Sequence, residues 1–167
     1  KWWYNINDRM QVGGRSGYEY FEKDKNYLYT LAQFFPRMCV YSDVTGWQNK
    51  QFLGRGEFTL PFGNYEVNIT VPSDHIIAAT GELQNGSDVL TSAQRKRFEQ
   101  AKKSDTPVLI VTQSEAEMAE KDPKKTTKTW VFKARNVRDF AFASSRKFIW
   151  EAQKVTVGGK DILCMSY

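Results

Sequence analysis

A single histidine limits the chemistry this sequence can carry. His75 is the only imidazole in 167 residues, so zinc sites built on paired histidines are excluded. Any Ser-His-Asp or Cys-His arrangement would have to use it. Its place after Pro72-Ser73-Asp74 is that of an ordinary strand-edge residue, while Cys39 stays open as a partner because folding brings distant residues together. Cys39 and Cys164 are too few for a disulfide scaffold or a Cys-rich zinc site, leaving one bridge or two free thiols. Gly13, Gly14 and Gly17 could be mistaken for a phosphate loop, but no Gly-Lys-Ser/Thr follows and no helix-forming run starts there. A turn or bulge between strands is expected instead.

Charge gives a second set of candidates. The formal charge is +5 with a pI near 9.1, which by itself permits nucleic-acid or anionic-surface binding. The basic residues Arg95, Lys96, Arg97, Lys102, Lys103, Lys124, Lys125 and Lys128 are interleaved with Glu99, Asp105, Glu115, Glu117, Glu120 and Asp122. That pattern describes a solvated helical face rather than a nucleic-acid patch. Arg135, Arg138, Arg146 and Lys147 are likewise read as outward strand residues. No stretch approaches the ~20 apolar residues of a membrane span.

The elements that must position these residues are mostly strands. Tyr65, Val67, Ile69 and Val71 alternate with Glu66, Asn68 and Thr70, which predicts a half-buried antiparallel strand. Turn residues on either side predict neighbouring strands at Phe58 to Phe62 and His75 to Leu83, in a meander. The Asp24-Lys25-Asn26 turn predicts a strand pair from Tyr18-Tyr20-Phe21 to Tyr27 through Leu31. Thr91 to Gln94 and Thr112 to Glu115 fit capping boxes, so residues 91–125 read as a short, polar helical insert on the surface, with Pro107 to Val111 as a strand inside it. Strands resume at Thr129 to Ala134, Val137 to Ala143 and Phe148 to Trp150, and a hairpin joins Val155-Thr156-Val157 to Asp161 through Leu163. The expected fold is mainly β, an antiparallel sandwich or saddle-like sheet forming one partial domain over residues 1–167. The chain opens on Lys1-Trp2-Trp3-Tyr4 and closes on a strand-like run, Ile162 to Tyr167, so both ends are expected to be cut from a longer polypeptide.

The segment Leu31-Ala32-Gln33-Phe34-Phe35-Pro36-Arg37-Met38-Cys39-Val40-Tyr41-Ser42-Asp43-Val44-Thr45-Gly46-Trp47 resembles the Gln-aromatic-aromatic-Pro stretch in the N-terminal domain of aminopeptidase N-like zinc metallopeptidases, the gluzincins, in a bacterial form. Phe62-Gly63-Asn64-Tyr65-Glu66-Val67 through Thr70-Val71-Pro72, then Ala78-Ala79-Thr80-Gly81, is similar to the family's strand-turn-strand. Val137 through Ala143 is similar to its later Asp-Phe-Ala strand. The resemblance implies the later portion of a saddle-shaped β domain that packs on a thermolysin-like catalytic domain of the same polypeptide.

In that family a zinc is held by H-E-x-x-H and a downstream Glu. Neither that motif nor Gly-x-Met-Glu-Asn occurs here, so this chain is expected to have no catalytic residue, metal ligand or cofactor of its own, and zinc is assigned to the parent enzyme. Gln33 matches the glutamine that helps bind the free α-amino group of a peptide N-terminus, an uncharged acceptor suited to an ammonium. On the residues alone, Gln33 could instead satisfy backbone groups at a strand end. Phe34 and Phe35 are candidates for the wall of the first substrate pocket or for core, whereas Phe140 and Phe142 are read as core. A periplasmic or extracellular parent fits the resemblance. The competing reading is a free-standing β-sandwich module for carbohydrate or protein, with Trp2, Trp3, Trp47 or Trp150 stacking on sugar faces.

Overall fold

The computed structural model describes residues 1–50 and 59–167. Its first element is a single helical turn, α1 (Arg9–Val12), started by Asp8, whose carboxylate accepts from the Met10 amide at 2.9 Å, and ended at Gly13. The glycine cluster therefore follows a helical turn rather than joining two strands. β1 (Gly17–Phe21) and β2 (Asn26–Leu31) then form the expected antiparallel pair, with Lys25 in the left-handed region at the turn. A small hairpin follows, β3 (Tyr41–Ser42) with β4 (Gly46–Trp47).

β5 (Gly63–Pro72) keeps the predicted alternation: Tyr65, Val67, Ile69 and Val71 turn inward while Glu66, Asn68 and Thr70 are exposed. The meander expected around it does not form. Thr59 to Phe62 carry no strand, and Phe58 lies outside the described residues. The stretch His75 to Leu83 divides into β6 (Ile76–Ala79) and β7 (Glu82–Leu83), which belong to different sheets. The break is at Thr80-Gly81. A Cβ on Gly81 would stand 2.4 Å from the Lys133 carbonyl oxygen, so only glycine lets the chain pass from one sheet to the other there.

After a turn of helix, α2 (Gly86–Val89), both predicted capping boxes are present. Thr91 and Gln94 start α3 (Ser92–Ala101), and Thr112 and Glu115 start α4 (Gln113–Lys121). Between them lies β8 (Val108–Val111). The insert is polar outward, yet Ala101, Ile110, Val111 and Ala116 are buried and make it part of the core. The strands predicted over 129–143 resolve into one long strand, β9 (Thr127–Val137), and a short one, β10 (Phe142–Ser145), with Arg138 to Ala141 outside both. β11 (Trp150–Val157) and β12 (Lys160–Ser166) form the last hairpin across Gly158-Gly159, whose positive φ values suit a tight turn.

The fold is thus mainly β. One sheet runs β1-β2-β10-β6, a second β5-β9-β7 and a third β12-β11-β8. They share one core in which Trp130, Trp150, Phe140, Ile77 and Ile110 are almost completely buried. As read from the sequence, Phe140 is core, and Phe142 packs half-buried against it. No helix among the described residues is long and apolar enough to cross a membrane.

Two residues predicted to point outward instead tie the elements together. Arg146, just after β10, donates from Nε to Asp74 Oδ2 at 3.2 Å and from Nη1 to Asn26 Oδ1 at 3.0 Å. Asp74 is nearly sealed from solvent and also accepts from the Lys124 amide at 2.7 Å. Lys147 bridges Asp24 at 2.6 Å and Glu120 of α4 at 3.1 Å. Removing one member of such a buried pair strands the other charge, at about 3–5 kcal/mol. Arg146→Leu is therefore expected to lower stability by about 3 kcal/mol or more in urea unfolding. A midpoint within error of the parent's would refute that role.

Candidate functional site

Gln33 stands just beyond β2, at φ 54°, in a left-handed conformation that is uncommon for any residue but glycine. What holds it there is local. The Ala32 amide donates to Ser16 Oγ at 2.9 Å while the Ser16 hydroxyl donates back to the Ala32 carbonyl. On its other side Phe34 and Phe35 meet edge to face at 5.2 Å, Phe34 also meets Phe142 at 5.3 Å, and Phe35 meets Tyr65 at 5.9 Å. Both phenylalanines are half-buried and packed on the core. Such strain is sustained where the surroundings over-determine the backbone, and it is often found at functional positions.

Gln33 and Phe35 line a cleft of about 360 Å³ together with Arg37, Cys39, Leu60 and Asp139. Arg37 organises one wall. Its Nη1 lies 3.0 Å from Asp139 Oδ1, and its Nη2 donates to the Arg138 carbonyl at 2.7 Å and to the Tyr65 hydroxyl at 3.1 Å. The guanidinium also lies 5.6 Å from the centre of the Phe35 ring. This clamp joins residues far apart in the chain, and nothing in local spacing marks it. The only signal for it was the pair of resembling segments that contain Arg37 and Asp139.

The Gln33 side-chain amide has no hydrogen-bond partner among the described residues. It makes none of the backbone bonds that a purely local role at a strand end would need. An ammonium group entering the cleft would find the Gln33 amide oxygen as an uncharged acceptor, while the Asp139 carboxylate is already engaged by Arg37 and the Phe140 amide. Among the described residues, no three His, Cys, Asp or Glu side chains gather where a metal ion could be held.

Cys39 and His75 line different cavities, so the structure does not bring them together. Cys39 and Cys164 are both exposed free thiols. His75 stands directly before β6, at a strand edge as the sequence suggested, but it is only 4% exposed, with Nδ1 2.8 Å from Ser144 Oγ. Burial, reinforced by the charge of Arg146, pushes its pKa down to about 4 and keeps the ring neutral. Nε2 has no partner among the described residues, so no carboxylate orients the ring as a catalytic triad would require. For the sugar-binding reading, Trp150 is buried at 1% exposure and cannot stack on a ligand, whereas Trp2, Trp3 and Trp47 are exposed. Comparison with protein-family models, with curated proteins and with solved structures gives no match to this chain.

Gln33→Gly relieves the left-handed backbone and is expected to leave stability unchanged or raise it by up to about 1 kcal/mol. A loss of more than that in thermal unfolding would show that the Gln33 side chain holds the fold rather than serving the cleft. For His75, the folded pKa lies below the unfolded value of 6.5, so the unfolded state binds the extra proton first. Its contribution is complete above pH 6.5 and is lost as the pH falls through about 4. The difference in unfolding free energy between parent and His75→Gln should therefore shrink by about 3 kcal/mol across that window. A difference independent of pH would contradict the buried neutral imidazole.

Proposed function

We propose that this chain is a non-catalytic N-terminal domain of a zinc aminopeptidase. In this reading it forms one wall of the substrate cleft, and Gln33 helps bind the free α-amino group of the peptide. The observation that carries the reading is the state of Gln33: a strained backbone held by Ser16 and two packed phenylalanines, with its amide unpaired at a cleft. A strained backbone that its surroundings hold in place is found often at functional positions, and the amide it carries is open to the cleft. The order of the resembling segments supports the same reading, since Gln33, Phe35 and Asp139, which they supply, line one cleft.

The chemistry divided between the domains follows from the residues. When bound in the catalytic domain, zinc would activate water and polarise the scissile carbonyl. The task left to this chain is to orient the substrate. Gln33 Oε1 accepts from the ammonium without adding charge, and the Phe35 ring, held by the Arg37–Asp139 clamp, offers an apolar surface to the first side chain.

The test is made on the polypeptide encoded by the complete reading frame that contains this chain. It is expected to hydrolyse aminoacyl p-nitroanilides in a zinc-dependent manner. Gln33→Leu should lower kcat/KM by about 10- to 100-fold, the cost of one hydrogen bond to a charged group. Absence of peptidase activity in the complete polypeptide, or full kcat/KM in Gln33→Leu, would overturn the reading.

A further inference from the structure

A second cavity, of about 570 Å³, runs beside β5. Its lining includes four successive β5 residues, Ile69, Thr70, Val71 and Pro72. Successive side chains of a strand point to opposite faces, so a cavity touching all four must lie along the strand's edge. That edge is free: among the described residues β5 pairs only with β9. An unpaired strand edge presents a row of backbone donors and acceptors ready to bind another strand.

The facing wall is aromatic. On β1 and β2 the register sets Tyr18 opposite Tyr29 and Tyr20 opposite Tyr27, so all of these rings lie on one face. They contact one another, with Tyr20 and Tyr27 centred 4.8 Å apart and Tyr27 and Tyr29 at 5.9 Å. Tyr27 and Tyr29 line the cavity, with Leu31 and Phe142 deeper along the same sheet face.

The chain's first segment sends one residue into the groove. Residues 1–7 have no regular secondary structure and are anchored where the Tyr18 amide donates to the Asn7 carbonyl at 2.8 Å. Their apolar residues alternate in strand fashion: Trp2, Tyr4 and Ile6 are 47, 41 and 38% exposed, whereas Trp3 between them is 86% exposed. Trp2 lies 6.4 Å from Phe34, and Ile6 lines the groove itself. Of the segment only Ile6 reaches the groove, and the segment does not pair with β5.

We propose that this groove is a strand-accepting site. It takes an extended peptide with large apolar side chains at alternate positions, which adds to the free edge of β5 while its side chains fill the space against Tyr27 and Tyr29. Ile6 takes one such side-chain position at its rim. This is recognition by strand addition, in which backbone hydrogen bonds give affinity and alternate side chains give selectivity. It does not rest on the role of Gln33, which lines a different cavity.

The test titrates the full chain carrying Trp2→Ser and Ile6→Asp, which frees the groove, with a capped peptide of the sequence Lys-Trp-Trp-Tyr-Asn-Ile-Asn. A second peptide of the same composition groups the apolar residues together. Binding by the first is expected to slow hydrogen exchange of amides in the Asn68 to Val71 stretch, with affinity about tenfold tighter than for the second. The parent chain should show the same protection at higher peptide concentration, which keeps the test decisive if the variant does not fold. Absence of binding, binding without protection of β5, or equal binding of both peptides would overturn the proposal. So would protection of β5 that rises with protein concentration alone, which would make a second copy the occupant.

Discussion

The guanidinium of Arg146 is the point on which the rest of the structure hangs. Through Asp74 it holds the turn between β5 and β6, and through Asn26 it holds the start of β2. Asn26 is itself almost fully buried and donates to the Asp24 carbonyl and to Glu120. Burying so many polar groups is favourable only when each finds its partner, because a half-satisfied network costs more than an apolar one. The arrangement therefore defines a single relation between the first sheet, the β5–β6 turn and α4. Packing of Ile76, Ile77, Trp130 and Phe140 then fills the space that this relation leaves.

The Gln33 cleft inherits its shape from the same frame. The register of β5 against β9 slips between Gly63 and Tyr65, near Asn136, which has positive φ and whose amide donates to Asn64 Oδ1 at 3.0 Å. β9 ends one residue later, and Arg138 and Asp139 leave the sheet toward Arg37. The clamp on the cleft wall is thus a product of how one long strand pair finishes. Its charges are partly exposed, so they orient the wall more than they stabilise the fold.

What could be read from the sequence was whatever local chemistry dictates. The alternation of β5, the turn before Tyr27, both capping boxes and the Gly158-Gly159 hairpin each depend on residues within a few positions of one another, and each is present. The strand order was not legible. Nothing near His75 to Leu83 reveals that Gly81 carries the chain between sheets, because what demands glycine is the Lys133 carbonyl, distant in sequence. Arg146 and Lys147 look like solvent-facing cations for the same reason, since Asp74, Asp24 and Glu120 come from other elements. Of the candidate site, Gln33 and its two phenylalanines were marked only by the resemblance of residues 31–47 to a known family's stretch, while Arg37 and Asp139 acquire their relation only by folding.

The strand order β1-β2-β10-β6 also has a consequence during synthesis. Leu31 pairs with Phe142, and Tyr29 with Ser144, so the first hairpin leaves the ribosome long before the strand that completes its sheet exists. At ordinary elongation rates the interval is of the order of ten seconds. Throughout it, the backbone edge of β2 that β10 will pair with has no partner. The nascent chain therefore carries an open strand edge for that time, and the release of residues 142–145 sets the earliest moment at which this sheet can close.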